Sequence, residues 1–116
     1  MNNMSLDKVV NELLKCRNYK IIKTLHFEQF KQPFEQISEV ILEENLRNPR
    51  NLRVAEIDYW LDNRKKLKLW YKLSNTTGHK YYIEIDNIEK TIKIVTGVKL
   101  RIRWQKKVEK HVKQKY

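Results

Sequence analysis

The chain has 116 residues, which predicts one domain spanning residues 1–116 around one hydrophobic core. Large apolar residues occur along its whole length and no run approaches 18 of them, which argues against a disordered chain and against a transmembrane helix. The net charge of +11 lies in residues 59–116, which hold 16 Lys and Arg against five Asp and Glu, whereas residues 1–58 hold nine of each. This imbalance favours a polyanionic partner, although a basic surface that only confers solubility is the simpler alternative.

The sequence predicts neither a disulfide nor a bound cofactor. Cys16 is the one cysteine, and the N-terminus lacks the basic and then apolar layout of a signal peptide, so we expect a cytoplasmic protein. No group of His, Cys, Asp and Glu has metal-ligand spacing, and no glycine-rich phosphate loop occurs. We therefore predict no metal, no cofactor and no membrane contact.

The sequence of the N-terminal half predicts one helix before a single strand and two helices after it. Ser5 is a suitable N-cap for a first helix whose apolar residues recur at helical spacing. The β-branched residues that follow favour a short strand, and proline suits the first turn of a later helix. The predicted elements are a helix over 6–17, a strand over 19–25, a brief helix over 26–31, and a longer helix that Pro33 opens and Asn48-Pro49 ends.

From Leu52 the apolar period changes to two, which is typical of strands. The predicted elements are strands over 52–61, 67–73, 81–86 and 91–102 and a basic helix over 103–115. Gly78 is placed in the turn before the third of these strands, where a positive φ suits glycine. The fold class is therefore α+β: N-terminal helices packed on one face of a mostly antiparallel sheet of four or five strands, with a C-terminal helix and an open opposite face.

Strict alternation along the strands predicts a basic and aromatic open face. Cations neutralise phosphates and aromatic rings stack on unpaired bases, so this face suits single-stranded RNA. Glu84 and Asp86 fall on the same face, where they are expected to pair with neighbouring lysines. The residues predicted on this face are Lys68, Trp70, Lys72, Tyr82, Lys93, Lys99, Arg101 and Arg103.

Four short segments, with the order strand, helix, helix and meander, carry a resemblance to a known family. They are Ile22-Lys23-Thr24-Leu25-His26-Phe27 leading into a helix, Asn48-Pro49 after the second helix, Trp70-Tyr71-Lys72 in a central strand, and Lys93-Ile94-Val95-Thr96 in the last strand. Over about residues 19–103 the chain resembles the RelE/ParE superfamily of small toxins and the RelE-like nuclease domains of mobile elements.

This resemblance implies a metal-independent, toxin-type endoribonuclease that acts on RNA, with the ribosome as one place of action, and that a small acidic antitoxin holds inactive. By this likeness Lys72, Lys99, Arg101 and Arg103 stabilise phosphate charge, and His26 or Tyr71 transfers a proton. The helix over 6–17 and the helical tail after Arg103 depart from the family pattern.

Two other functions fit the same composition. One is a non-catalytic nucleic-acid-binding regulator of viral or plasmid origin, in which His26 does not converge with the lysines. The other is a protein-interaction factor whose basic face docks an acidic partner. The candidate residues also have structural interpretations, since Tyr71 shares the register of Leu67 and Leu69, and a one-residue slip would bury Trp70.

Overall fold

A computed structural model of the chain describes residues 3–24, 37–104 and 106–108. The helix predicted over 26–31, the start of the helix predicted from Pro33, and His26 lie outside these residues. The described elements are α1 (Asn3–Lys15), β1 (Lys20–Lys23), α2 (Glu39–Arg47), a 3-10 turn (Pro49–Asn51), β2 (Leu52–Trp60), β3 (Arg64–Lys72), β4 (Thr77–Asp86) and β5 (Thr91–Arg101), followed by a short helix that begins at Trp104.

The five strands form one sheet in the order β1-β5-β4-β3-β2. β2 to β5 are an antiparallel meander, and β1 joins its far edge parallel to β5. The parallel pair requires the chain to cross over between β1 and β2, and α2 lies within that connection. The α+β class and the mostly antiparallel sheet are confirmed, with five strands.

One face of the sheet is covered by α1 and α2. Val9 and Leu13 of α1, Cys16 directly after it, and Leu42 and Leu46 of α2 are buried against this face. Opposite them, the inward residues of the three central strands include Leu67, Leu69, Tyr81, Ile83, Ile85, Ile92 and Ile94. We refer to this side as the helix face and to the other side as the open face.

Capping residues explain where helix α2 begins and ends. The Ser38 hydroxyl accepts a hydrogen bond from the Ile41 backbone N–H at 3.4 Å, which satisfies one of the unpaired donors of the first turn. Asn48 caps the last turn, and Pro49, which cannot continue a helix, opens the 3-10 turn. The predicted helix end at Asn48-Pro49 is confirmed.

A β-bulge in β5 overturns the strict alternation predicted for this strand. Tyr82 pairs with Thr96 and Ile83 pairs with Ile94, so Val95 is the extra residue. Because an inserted residue moves every later side chain to the other face, Lys99 lies opposite His79 on the helix face. The prediction that Lys99 and Arg101 share the open face with Lys72 is therefore wrong.

The structure also corrects the role of Gly78. This residue lies inside β4, the turn before it covers residues 73–76, and no described glycine has a positive φ. The positive φ of 56° belongs to Lys90, in the turn between β4 and β5. None of the helices that the structure describes is long and apolar enough to cross a membrane.

Candidate nucleic-acid interface

The middle of the open face is basic but largely charge-balanced. Glu84 forms ion pairs with Arg64, at 2.6 Å, and with Lys66, at 3.7 Å. Lys68 lies 4.0 Å from Asp58, which also accepts a 2.7 Å hydrogen bond from the Tyr82 hydroxyl. The expected pairing of Glu84 with neighbouring cations is confirmed. A phosphate placed here would therefore compete with carboxylates that already hold the cations.

Lys93 belongs to the same balanced region. It lies directly opposite Glu84 in the register of β4 and β5 and is half-buried. Lys68 and Lys93, both predicted to bind nucleic acid, thus sit beside acidic residues.

Trp70 is buried and does not offer an exposed stacking surface. Only 5% of it is exposed, because it forms a small second core on the open face with Val54, Trp104 and the half-buried Ile102. The Lys107 ammonium lies 4.0 Å from the centre of the Trp70 ring. The prediction that Trp70 stacks on bases is wrong for this arrangement, since the chain after β5 covers the ring.

Trp104 fixes this covering segment to the turn between β3 and β4. Its indole N–H donates to the carbonyls of Ser74 at 3.0 Å and Thr77 at 3.2 Å. Its ring occupies the space that a side chain at position 78 would fill: a Cβ there would lie 2.3 Å from the ring and 2.5 Å from the Tyr71 carbonyl oxygen. Gly78 is therefore required for a close approach, and Trp104 attaches the chain after β5 to this turn.

Anchoring the tail in this way creates a basic groove at one end of the sheet. Two depressions there share Asn75 and Arg103 as lining residues, and together we call them the turn groove. Their volumes are about 440 and 330 Å³. The residues of the turn groove are Lys72, Asn75, Thr76, Arg101, Ile102, Arg103, Trp104 and Lys106.

The cations of the turn groove lack the carboxylates that balance the middle of the open face. No Asp or Glu occurs in residues 63–83 or 90–108. Within the part of the chain that the structure describes, no acidic side chain forms an ion pair with any of these cations, namely Lys72, Arg101, Arg103 and Lys106. An anion that enters the groove therefore meets several uncompensated positive charges.

The bulge places the predicted cations on two sides of this end of the sheet. Lys72 is on the open face, while Arg101 is opposite Thr77 on the helix-face side and is exposed. Both nevertheless line the turn groove, because the groove wraps around the turn. Lys99 is exposed near His79 and does not line it.

Tyr71, one of the two proton-transfer candidates, does not line the turn groove. Tyr71 is fully buried, and burial raises the pKa of its hydroxyl well above the ordinary range. His79 is 2% exposed and shares a 2.7 Å hydrogen bond with the Tyr81 hydroxyl. Burial, and to a lesser extent the charge of Lys99, lowers the pKa of His79 to about 4. The role predicted for Tyr71 is therefore wrong, and that of His26 lies outside the described residues.

Sequence reasoning missed five residues of the turn groove, of which three, Asn75, Thr76 and Lys106, are polar or charged. Asn75 and Thr76 looked like ordinary turn residues, and Lys106 looked like one of many lysines on a basic helix. The available signal was the stretch 90–108, which is rich in Lys and Arg and lacks any acid. Among residues 3–24, 37–104 and 106–108, no group of His, Cys, Asp and Glu could hold a metal ion.

No family model, no curated protein and no solved structure gives a significant match to the chain.

Proposed function

We propose that the chain binds single-stranded RNA and that the turn groove holds its sugar–phosphate backbone. The observation that carries this proposal is the convergence of four cations on one groove without a carboxylate partner among the described residues. Each phosphate neutralised there releases condensed counterions, which is the main driving force for binding nucleic acid without base readout.

Two polar side chains favour RNA over DNA as the ligand. The Asn75 amide and the Thr76 hydroxyl lie in the turn groove beside Arg101 and Arg103. Both groups donate and accept hydrogen bonds, and so does the ribose 2′-hydroxyl, which DNA lacks. A single strand suits the groove better than a duplex, because the groove is a short depression at the end of a sheet and not an extended basic face.

The test measures affinity for a labelled single-stranded RNA of about 12 nucleotides, a length within the site sizes of known single-strand binders. The variants Arg101→Ala, Arg103→Ala and Lys106→Ala each remove one groove cation. We expect each to weaken binding about three- to tenfold at low salt, since each loses one phosphate contact. A DNA strand of the same sequence should bind more weakly than the RNA.

Lys66→Ala and Lys68→Ala are the matched controls. Both residues are lysines of β3 with about one third of the side chain exposed, and both have a carboxylate partner. We expect these variants to weaken RNA binding less than about twofold. Equal losses from the controls and the groove variants would show that binding follows total charge and would overturn the groove as the site.

Endoribonuclease activity, implied by the resemblance to RelE-like toxins, remains a separate prediction. The RNA is incubated with the parent protein, Lys72→Ala and His26→Ala in the presence of a chelator, and products are resolved on a gel. A ribonuclease of this type should yield products from the parent, and Lys72→Ala should slow cleavage more than it weakens binding, because its charge acts on the transition state. Without products from the parent, the ribonuclease prediction is wrong while the binding proposal stands.

An acidic antitoxin would be drawn to the same cations. Such a partner should co-purify with the chain from its native host and should compete with RNA for the turn groove. If the chain purifies alone and its overexpression leaves growth unchanged, the toxin–antitoxin prediction is wrong.

A further inference from the structure

A second polar site lies at the end of the sheet opposite the turn groove. There α1 meets the ends of β2 and β4 and the start of β3, and a groove of about 570 Å³ opens between them. Pockets of this size are typical for small-molecule ligands. We call it the helix groove; its lining residues are Lys8, Asn11, Glu12, Lys15, Tyr19, Trp60, Asp62, Lys65 and Asn87.

The floor of the helix groove is a nearly buried ion pair. The Lys65 ammonium lies 3.4 Å from Oε2 of Glu12, and the two side chains are 6% and 10% exposed. Lys65 also donates to the side-chain oxygen of Asn87 at 2.7 Å and to the Asp62 carbonyl at 3.1 Å. All three hydrogens of the ammonium therefore have acceptors, and Lys65 is held rigidly in place.

Glu12 presents one oxygen with no protein donor. Its Oε2 accepts hydrogen bonds from Asn87 at 3.0 Å and from the Cys16 thiol at 3.3 Å, and no described residue donates to Oε1. Burial by itself would raise the pKa of Glu12, but these hydrogen bonds and the charge of Lys65 outweigh it and lower the pKa. The carboxylate thus stays ionised and acts as an acceptor.

A hydrogen-bond donor lies on the same floor. The Tyr19 hydroxyl accepts a hydrogen bond from Asn87 at 3.2 Å and also lies beside the Cys16 thiol, so its own hydrogen is directed either to that sulfur or to a ligand. Glu12 and Tyr19 together offer one acceptor and one donor. The edge of a purine base carries the complementary pair, an N–H donor next to a ring-nitrogen or carbonyl acceptor.

Trp60 forms a wall of the helix groove, and Lys8 and Lys15 lie at its rim. These residues correspond to the remaining parts of a nucleotide. The Trp60 ring is half-buried and packs against the core, and the ammonium groups of Lys8 and Lys65 lie 4.6 Å and 5.2 Å from its centre. A base that stacks on this indole takes the place of the exposed Lys8 ammonium, which is then available to a phosphate. Lys8, Glu12 and Lys15 share one face of α1 because they are spaced by four and then three residues. Two exposed lysines therefore flank the carboxylate on this face of the helix.

We propose that the helix groove binds a purine mononucleotide, with the base on Trp60, its edge on Glu12 and Tyr19, and the phosphate on Lys8 and Lys15. The lining holds three lysines against two carboxylates, which favours an anionic ligand over a cationic one. A purely structural role accounts for Glu12, Lys65 and Asn87 and for Trp60, which packs against the core, but it does not require the two exposed lysines at the rim.

AMP and GMP are titrated separately into nitrogen-15-labelled protein. NMR spectra monitor the indole N–H resonances of its three tryptophans during each titration. Trp60→Phe assigns the resonance of Trp60. We expect the chemical shift of this resonance to change and the change to saturate. For at least one of the two nucleotides, half of the change should be reached at a nucleotide concentration of about 1 mM or less. Trp70 and Trp104 lie at the other end of the sheet, so a shift of their resonances reports nucleotide phosphate at the turn groove and not binding at the helix groove.

The variant Lys8→Ala should weaken binding of the nucleotide about two- to fivefold and leave binding of the nucleoside unchanged, because only the phosphate contact is lost. Lys99→Ala, which removes an exposed lysine at the other end of the sheet, is the matched control and should change neither. Inorganic phosphate alone should not reproduce the Trp60 shift.

No Trp60 shift at about 10 mM of either nucleotide would overturn the proposal. An equal shift with inorganic phosphate would overturn it as well, since the site would then be an anion site without base recognition. These outcomes are independent of RNA binding at the turn groove, because that binding is reported by Trp104 and by the groove variants.

Discussion

His79 is the residue whose charge state is most constrained by its surroundings. The Tyr81 hydroxyl accepts a hydrogen bond from the Asn45 amide at 3.1 Å, which leaves the hydroxyl hydrogen for Nδ1 of His79 at 2.7 Å. Nδ1 must then be an unprotonated acceptor, so the imidazole is neutral. This network agrees with the lowered pKa of about 4 for His79, and the buried hydroxyl of Tyr71 beside it has no partner among the described residues.

The buried His79 predicts a specific pH dependence of stability. Its pKa is about 4 in the folded chain against an ordinary 6.5, so between these values the unfolded chain binds more protons. The free energy of unfolding should therefore fall as the pH drops from about 6.5 towards 4, by up to about 1.4 kcal/mol per pH unit from this group. Urea denaturation across this range compares the parent with His79→Gln, which should lack this component. Parallel pH profiles for the two proteins would contradict the assignment.

The pair formed by Gly78 and Trp104 predicts a packing conflict. Gly78→Ala places a methyl group against the Trp104 ring and against the Tyr71 backbone oxygen, which cannot move freely. We expect a loss of about 1–3 kcal/mol in the free energy of unfolding. In the double variant with Trp104→Leu the two costs should not add, because the smaller side chain relieves part of the clash. Strictly additive losses would show that the two residues do not meet.

Among the elements, β5 shows how far the sequence could predict this fold. The alternation of Ile92 and Ile94 with Lys93 identified the strand and its inward face correctly. The alternation did not reveal the bulge at Val95, since Val98, Leu100 and Ile102 continue the apolar period after it and its cause is the pairing with β4. The faces of Lys99 and Arg101 were therefore not predictable from their strand alone.

The sequence alone could not predict the burial of Trp70 and Lys65 either. Trp70 has the outward register that was predicted, but tertiary packing of Trp104 buries it. Lys65 is inward-facing and nearly buried, which no local pattern indicates, because its partners Glu12 and Asn87 are distant in the sequence. The candidate site was thus predictable as a basic C-terminal surface, while its exact place required the contacts between elements.

The attachment of α1 depends on the ion pair between Glu12 and Lys65. Replacing Lys65 with Met leaves the Glu12 carboxylate uncompensated, and we expect a loss of about 3 kcal/mol in the free energy of unfolding. The double variant Glu12→Leu/Lys65→Met should cost much less than the sum of the single variants, because it removes both buried charges. Lys66→Met, a change in a neighbouring and more exposed lysine, should cost less than about 1 kcal/mol. Additive single costs would contradict a direct pair.

At the scale of the whole molecule, the basic residues of the open face differ from those of the turn groove in their carboxylate neighbours. Those of the middle of the open face, such as Lys66 and Lys68, have carboxylate neighbours. Those of the turn groove have none within the described ranges. Four cations of residues 59–116 that have no described carboxylate partner are therefore brought by the fold to one end of the sheet, which is the physical basis of the proposed RNA binding.

The salt dependence of RNA affinity tests this account most directly. If the four groove cations each neutralise one phosphate, the logarithm of the association constant should fall linearly with the logarithm of the salt concentration, with a slope of about −3. The double variant Arg103→Ala/Lys106→Ala should reduce the steepness of that slope by about 1.4, while Lys66→Ala/Lys68→Ala should leave it nearly unchanged. A slope near zero, or the same loss of slope in both double variants, would contradict the claim that the turn groove binds the RNA backbone.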